Sequence, residues 1–134
     1  GRVGHQLARI LKERGVPLVV IDSDRELVEQ AHLDGIAALR GNAAAAGRLD
    51  DLLPATATHA MVAIPQAFEA GEIIARLREA NPAMTILARA HSETEARHLI
   101  EHGADGTVLA ERELAYSMAE MVLGDPRLAA SVPG

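Results

Sequence analysis

GRVGHQLARILKERGVPLVVID, residues 1–22, decides the fold. Within it Val3, Leu7, Ile10 and Leu11 recur at the spacing of one helix face, and Gly15 and Pro17 end the pattern. The spacing predicts an amphipathic helix over Val3–Arg14. The continuous apolar run PLVVID then reads as a strand, Pro17–Asp22, because a strand covered on both faces of a parallel sheet has no polar side. A glycine turn that opens into a helix and leads on to such a strand normally has a strand in front of it. The expectation is therefore that the natural chain begins before Gly1, with a sixth, central strand ahead of the turn.

The rest of the chain repeats the same alternation. Ser23 or Asp24 can cap a helix over Asp24–Asp34 that Gly35 ends, and the strand Ile36–Arg40 follows. Ala44–Leu53 reads as a helix with Asn42 near its start and Pro54 after its end, although Gly47 weakens it. HAMVAIP (59–65) gives a third strand, and QAFEAGEIIARLREANP (66–82) a helix with Ile73, Ile74 and Leu77 inward. AMTILARA (83–90) gives a fourth strand. SETEARHLIEHGA begins with a capping box, Ser92 to Glu95, and its helix stops at Gly103. A strand over Asp105–Ala110 leads to a last helix, Glu111–Leu123, with Leu114, Met118, Met121 and Val122 on one face.

Five strands and six helices in strict turn predict an α/β fold: a Rossmann-like, doubly wound parallel sheet whose ligand crevice lies at the carboxyl ends of the strands. The predicted domain spans residues 1–124, with a loosely ordered tail over 125–134. Without its first strand, such a sheet should expose a central edge and an incomplete phosphate site.

Composition narrows the function. At 134 residues and 49% hydrophobic content the chain supports one domain with a real core. With one Phe, one Tyr and no Trp, that core must be aliphatic. The absence of cysteine excludes disulfides and thiolate chemistry. A net charge of −6, with 13 basic residues scattered among 19 acids, argues against nucleic acid as a partner. No apolar run reaches the roughly 18–20 residues of a membrane span.

In the dinucleotide fingerprint G-x-G-x-x-G, Gly1 and Gly4 fit the second and third glycines. Asp22 ends the next strand near the offset at which an acid accepts hydrogen bonds from ribose hydroxyls. Backbone N–H groups of Arg2 and Val3 at a helix start favour phosphate, and a strand-end carboxylate favours a ribose diol while repelling a 2′-phosphate. NAD or AMP fits this pattern better than NADP. The same turn also occurs in α/β domains that bind nothing, where an acid at the Asp22 position only caps a helix.

GRVG, VVIDSDRELVE, LRGNA, VAIPQAFEAGEII, ILARAHSE and GADGTVLAERELA, taken together with their spacing, resemble one family across nearly the whole chain. It is the RCK or TrkA-N nucleotide-binding domain, in the version attached to Kef-type, YbaL-like monovalent cation:proton antiporters. The family normally reads GYGRVG after a hydrophobic strand, and this sequence starts inside that motif. The resemblance implies a regulatory domain at the cytoplasmic face of a bacterial inner membrane, where an adenine nucleotide, AMP or NAD(H), gates potassium:proton exchange. Gly1, Arg2, Val3 and Gly4 would hold the phosphates and Asp22 the ribose. Ser23 and Arg25 would stand at the rim of the adenosine pocket, Asn42 and Ala43 at the adenine edge, and Ile64 and Pro65 as an apolar wall. For Asn42 a helix cap is the alternative. Arg89 and Glu111 would report occupancy to a partner subunit, or form an ordinary salt bridge. The implied partners are a membrane transporter domain on the same polypeptide and a second copy of the domain, with the face of the last helix as candidate interface unless it packs on its own sheet.

The residues suggest no enzyme. A nicotinamide dehydrogenase needs a proton donor beside the hydride site and a substrate domain, for which the length leaves no room. Tyr116 lacks a Tyr-x-x-x-Lys partner, and neither G-x-S-x-G nor G-x-x-x-x-G-K-[ST] occurs. A cofactor-binding fragment of an NAD-dependent oxidoreductase is the alternative. Glu95, His98 and His102 share a helix face, but their spacing lacks H-E-x-x-H, so a solvated polar face rather than a metal site is expected.

Overall fold

Buried strands must pair every backbone amide and carbonyl, and that requirement sets the order of this sheet. The computed structural model describes residues 2–47 and 49–128; Gly1, Arg48 and residues 129–134 lie outside the described residues. The elements are α1 (Arg2–Glu13), β1 (Leu18–Asp22), α2 (Arg25–Leu33), β2 (Ala37–Arg40), α3 (Gly41–Ala46), α4 (Leu49–Leu52), β3 (His59–Ala63), α5 (Ala67–Ala80), β4 (Thr85–Ala90), α6 (Glu93–Glu101), β5 (Gly106–Leu109) and α7 (Ala110–Gly124). All five strands are parallel, in the order β2-β1-β3-β4-β5.

The alternation and the doubly wound sheet stand as expected, with one correction at the centre. The exposed central edge is not there: β1 pairs directly with β3, from Leu18 opposite His59 to Asp22 opposite Ala63. Ahead of this ladder the Pro17 carbonyl accepts from the Thr58 and His59 amides at 3.0 and 3.2 Å. The two strands satisfy each other's edges, which is cheaper than leaving either buried and unpaired.

Side chains alternate between two cores. Val19, Ile21, Val62 and Ile86 meet Ile73, Ile74 and Leu77 of α5 and Leu99 of α6 on one face. Val20, Ala38 and Met61 meet Ala8 of α1 and Val28 and Ala31 of α2 on the other. Ile73, Ile74 and Leu77 are completely buried, as the helix spacing predicts, and each contributes roughly 1.5–3 kcal/mol by leaving water.

Helix ends follow their local signals. Asp24 caps α2 by accepting from the Glu26 amide at 2.9 Å. Gly35, at φ +73°, lets the chain turn back so that its own amide reaches the His32 carbonyl and the Ile36 amide reaches the Ala31 carbonyl. Gly15 after α1 and Gly103 after α6 make the same pair of bonds. Ser92 caps α6 through the Glu95 amide, but the Glu95 carboxylate accepts from the His91 amide rather than from that of the cap residue.

Two elements differ notably from expectation. The helix over 44–53 is two helices, so the described residues hold seven rather than six. α3 starts at Gly41, and Gly47 in extended conformation separates it from α4. The third strand stops at Ala63, leaving Ile64 and Pro65 in the turn after it. In the tail, residues 125–128 form a turn in which Asp125 accepts from the Arg127 amide; residues 129–134 lie outside the described residues.

The amino edge of the sheet is tied by one arginine. Arg78 of α5 donates to the Gly103 carbonyl at 2.6 Å, the Pro82 carbonyl at 3.0 Å and the Asp105 carboxylate at 2.7 Å. Asp105 also accepts from the Ile86 amide at 2.7 Å. The Ile86 amide first, and then the Arg78 guanidinium, hold the Asp105 carboxyl below the ordinary aspartate range against a smaller effect of desolvation. A depressed folded value means stability that is complete above the unfolded pKa, about 4, and is lost as pH falls through the folded one. Asp105→Asn should therefore flatten the loss of stability below about pH 4 in urea titrations at stepped pH. Because half of the Asp105 side chain is exposed, the effect is small; parallel curves would remove it from the acid response.

Candidate functional site

The strand order reverses between β1 and β3. β1 hands the chain to α2 on one face of the sheet, and β3 hands it to α5 on the other. Connections leaving in opposite directions open a crevice outside the carboxyl ends, the usual ligand position in doubly wound sheets. A pocket of about 210 Å³ lies there, lined by the ends of β1, β3 and β4. It brings together five residues singled out in the sequence: Asp22, Ser23, Ile64, Pro65 and Arg89.

Asp22 is 6% exposed, and its Oδ1 accepts from the Asp24 amide at 2.8 Å. That bond fixes the carboxylate at the strand end while the turn carries the chain into α2. Ile64 is buried, and Pro65 beside it is exposed. Arg89, half-buried on β4, has a buried Nε with no hydrogen-bond partner among the described residues. One pocket thus holds a carboxylate, a guanidinium and an apolar wall.

Comparison with known proteins decides the family. The model of the TrkA-N domain matches residues 1–110. The chain belongs to the TrkA-N domain family. It is 38% identical over 126 residues to the putative cation/proton antiporter YbaL of Escherichia coli, covering 94% of this chain but 23% of that protein. This TrkA-N domain is also similar to the crystal structure of the TrkA-N domain of the inner membrane protein YbaL from Escherichia coli, with TM-score 0.70 and 38% identity over 91% of this chain and 90% of that one. The NAD(P)-binding domain of an exopolyphosphatase-related protein from Archaeoglobus fulgidus shares the fold, with TM-score 0.69 at 17% identity, covering 93% of each chain. Among the described residues no helix of the TrkA-N domain is long and apolar enough to cross a membrane.

The remaining sequence-derived residues lie around the pocket or away from it. Gly1 is outside the described residues, and Arg2, Val3 and Gly4 open α1. Arg25 does not line the pocket; it pairs with Glu29 one turn along α2 at 3.1 Å, with both side chains mostly in solvent. Asn42 and Ala43 are exposed in the first turn of α3, where Asn42 Oδ1 accepts from the Ala43 amide. Asn42 does not cap the helix, because the cap residue is Arg40. Glu111 is exposed near the start of α7 and does not line the pocket.

His98 and His102 correct the reading of α6. Their rings pack with centroids 4.2 Å apart and are half-buried, not solvated, because Gly71 of α5 leaves room for them. No group of three or more His, Asp or Glu side chains among the described residues is placed to hold a metal.

Two contributors were missed in the sequence. His91 joins the pocket from the turn after β4, signalled only by the strand end before it. Gly41 is buried at the start of α3, where a Cβ would stand 2.8 Å from Ile64 Cδ1 and 3.5 Å from Glu69 Oε1. The missing side chain is what lets α3 lie against the apolar wall of the pocket. Gly41→Val should force Ile64 aside and cost about 1–3 kcal/mol in urea unfolding. An unchanged midpoint would show that Ile64 turns away freely.

Proposed function

We propose that this TrkA-N domain is the regulatory module of a monovalent cation:proton antiporter. In this reading the domain binds an adenine nucleotide, AMP or NAD(H), at the carboxyl edge of its sheet, and occupancy gates potassium:proton exchange. The observation that carries it is the buried Asp22 carboxylate at the switch point, sharing a pocket with Arg89 and the Ile64–Pro65 wall. Asp22 accepts from the ribose diol and disfavours a 2′-phosphate, while Ile64 and Pro65 lie beside the base. Asn42 and Ala43 meet the adenine edge, with Ser23 and Arg25 at the outer rim. Gly1, Arg2, Val3 and Gly4 receive the phosphates at the amino end of α1, where unpaired amides and the helix dipole favour anions.

The similarity to YbaL supports a transporter domain on the same polypeptide and a place at the cytoplasmic face of a bacterial inner membrane. Gating requires that the nucleotide bind one conformation of the domain better than another, because equal affinity shifts no population. Arg89 on β4 and Glu111 on α7 suit the relay from pocket to partner. The role is binding, not catalysis.

A second copy is the proposed partner of α7. Leu114, Met118 and Val122 on this helix are 61%, 58% and 64% exposed, and α7 buries no side chain on its own sheet. A cleft of about 750 Å³ between α6, β5 and α7, with Ile100 and Tyr116 on its walls, offers the complementary apolar surface.

Calorimetry with AMP, ATP, NAD+, NADH and NADP+ tests the site. AMP and NAD+ should bind, NADP+ about tenfold more weakly, and Asp22→Ala should weaken AMP by about tenfold through loss of hydrogen bonds to a charged acceptor. No binding by any of these nucleotides at millimolar concentration would falsify the reading. Sedimentation tests the interface: Met118→Glu should convert dimer to monomer without unfolding the domain, and a monomeric unaltered chain would discard it.

A further inference from the structure

Beside the pocket, α3 is a piece of backbone too short to hold itself. It has six residues, far fewer than the roughly 12–15 at which an isolated helix becomes even marginally stable. Four of the six are alanine, and only Gly41 and Ala44 are buried, so side-chain packing contributes little. Its last carbonyls have no partners within the helix and need donors from elsewhere.

One side chain supplies them. Arg76 of α5 donates through Nη1 to the Ala44 carbonyl at 2.9 Å and to the Ala45 carbonyl, and through Nη2 to the Gly47 carbonyl. A guanidinium fits this position because it is planar, always charged and rich in donors, and a cation at a helix carboxyl end is electrostatically favoured. The other end of α3 is seated where Gly41 meets Ile64 and Glu69. Glu69 and Arg76 lie two turns apart on α5, so α3 is clamped along that helix at both ends.

We infer that Arg76 is a positioning residue of the nucleotide site. By holding the carboxyl end of α3, it keeps Gly41 against Ile64 and fixes Asn42 and Ala43 beside the pocket, although it contacts no ligand. This role rests on the nucleotide reading above. It concerns the base-binding side of the pocket, because α3 flanks the Ile64 wall, and the ribose acid, Asp22, accepts from the Asp24 amide of the turn after β1.

That division gives a test that general destabilisation does not imitate. AMP and ribose 5-phosphate share a sugar and a phosphate and differ in the base. Arg76→Met keeps the apolar stem and removes every donor. It should weaken AMP about tenfold, the usual effect of losing charge-assisted hydrogen bonds, and leave ribose 5-phosphate within about twofold. Arg76→Lys, with one ammonium in place of the fork, should fall between Arg76→Met and the unaltered chain, and it carries the test should Arg76→Met not fold. Amide hydrogen exchange should accelerate at residues 41–47 in Arg76→Met while β1, β3 and α5 stay protected. Equal weakening of both ligands, or unchanged AMP affinity with faster exchange at 41–47, would overturn the positioning role while leaving the nucleotide reading intact. Failure of the unaltered chain to bind either ligand would overturn both.

Discussion

The parallel ladder between β1 and β3 is the interaction on which the rest depends. It joins the half of the sheet served by α1 and α2 to the half served by α5 and α6, and each half puts its helices on the opposite face. Without it there would be two small sheets, each with a buried edge lacking hydrogen bonds. With it, the direction of winding changes at one place, and the crevice there follows from geometry before any side chain is chosen. The register also places the last residue of β1, Asp22, level with the last residue of β3, Ala63, so the acid and the turn carrying Ile64 and Pro65 reach the crevice together.

The two edges of the sheet are built differently. At the amino edge Arg78, Asp105 and the Pro17 carbonyl knit loops and strand starts with hydrogen bonds that leave little to move. At the carboxyl edge Asp22 and Arg89 share a pocket with the Ile64–Pro65 turn. A scaffold firm at one end and polar at the other suits binding, since the firm end keeps the polar groups in place.

What could be read in the sequence was what residue type and spacing encode. PLVVID announces a buried strand because no residue in it prefers water except the last, and that last residue is the pocket's acid. Leu114, Met118, Met121 and Val122 were legible as a stripe, of which Met121 is half-buried and the other three exposed, though a stripe alone does not say whether its own sheet covers it. The broken helix over 41–52 was less legible, because an alanine run has no apolar side to give it a period. Arg76, Arg78 and Gly41 were silent for a deeper reason. The two arginines bind main-chain carbonyls, which every residue has, about 30 positions away for Arg76, and the glycine matters through the side chain it lacks. The pairing of β1 with β3 also escaped the sequence, because strand order depends on which edges find each other in space.

α7 touches the body of the domain chiefly through β5 and buries none of its side chains. Its 15 residues make a rod about 22 Å long, and a turn of about 10° at its root would carry the far end through about 4 Å. The root, Ala110, directly follows Leu109, which pairs with Ala90 at the end of β4, one residue beyond Arg89. The helix is thus a long arm whose root lies one strand away from the pocket.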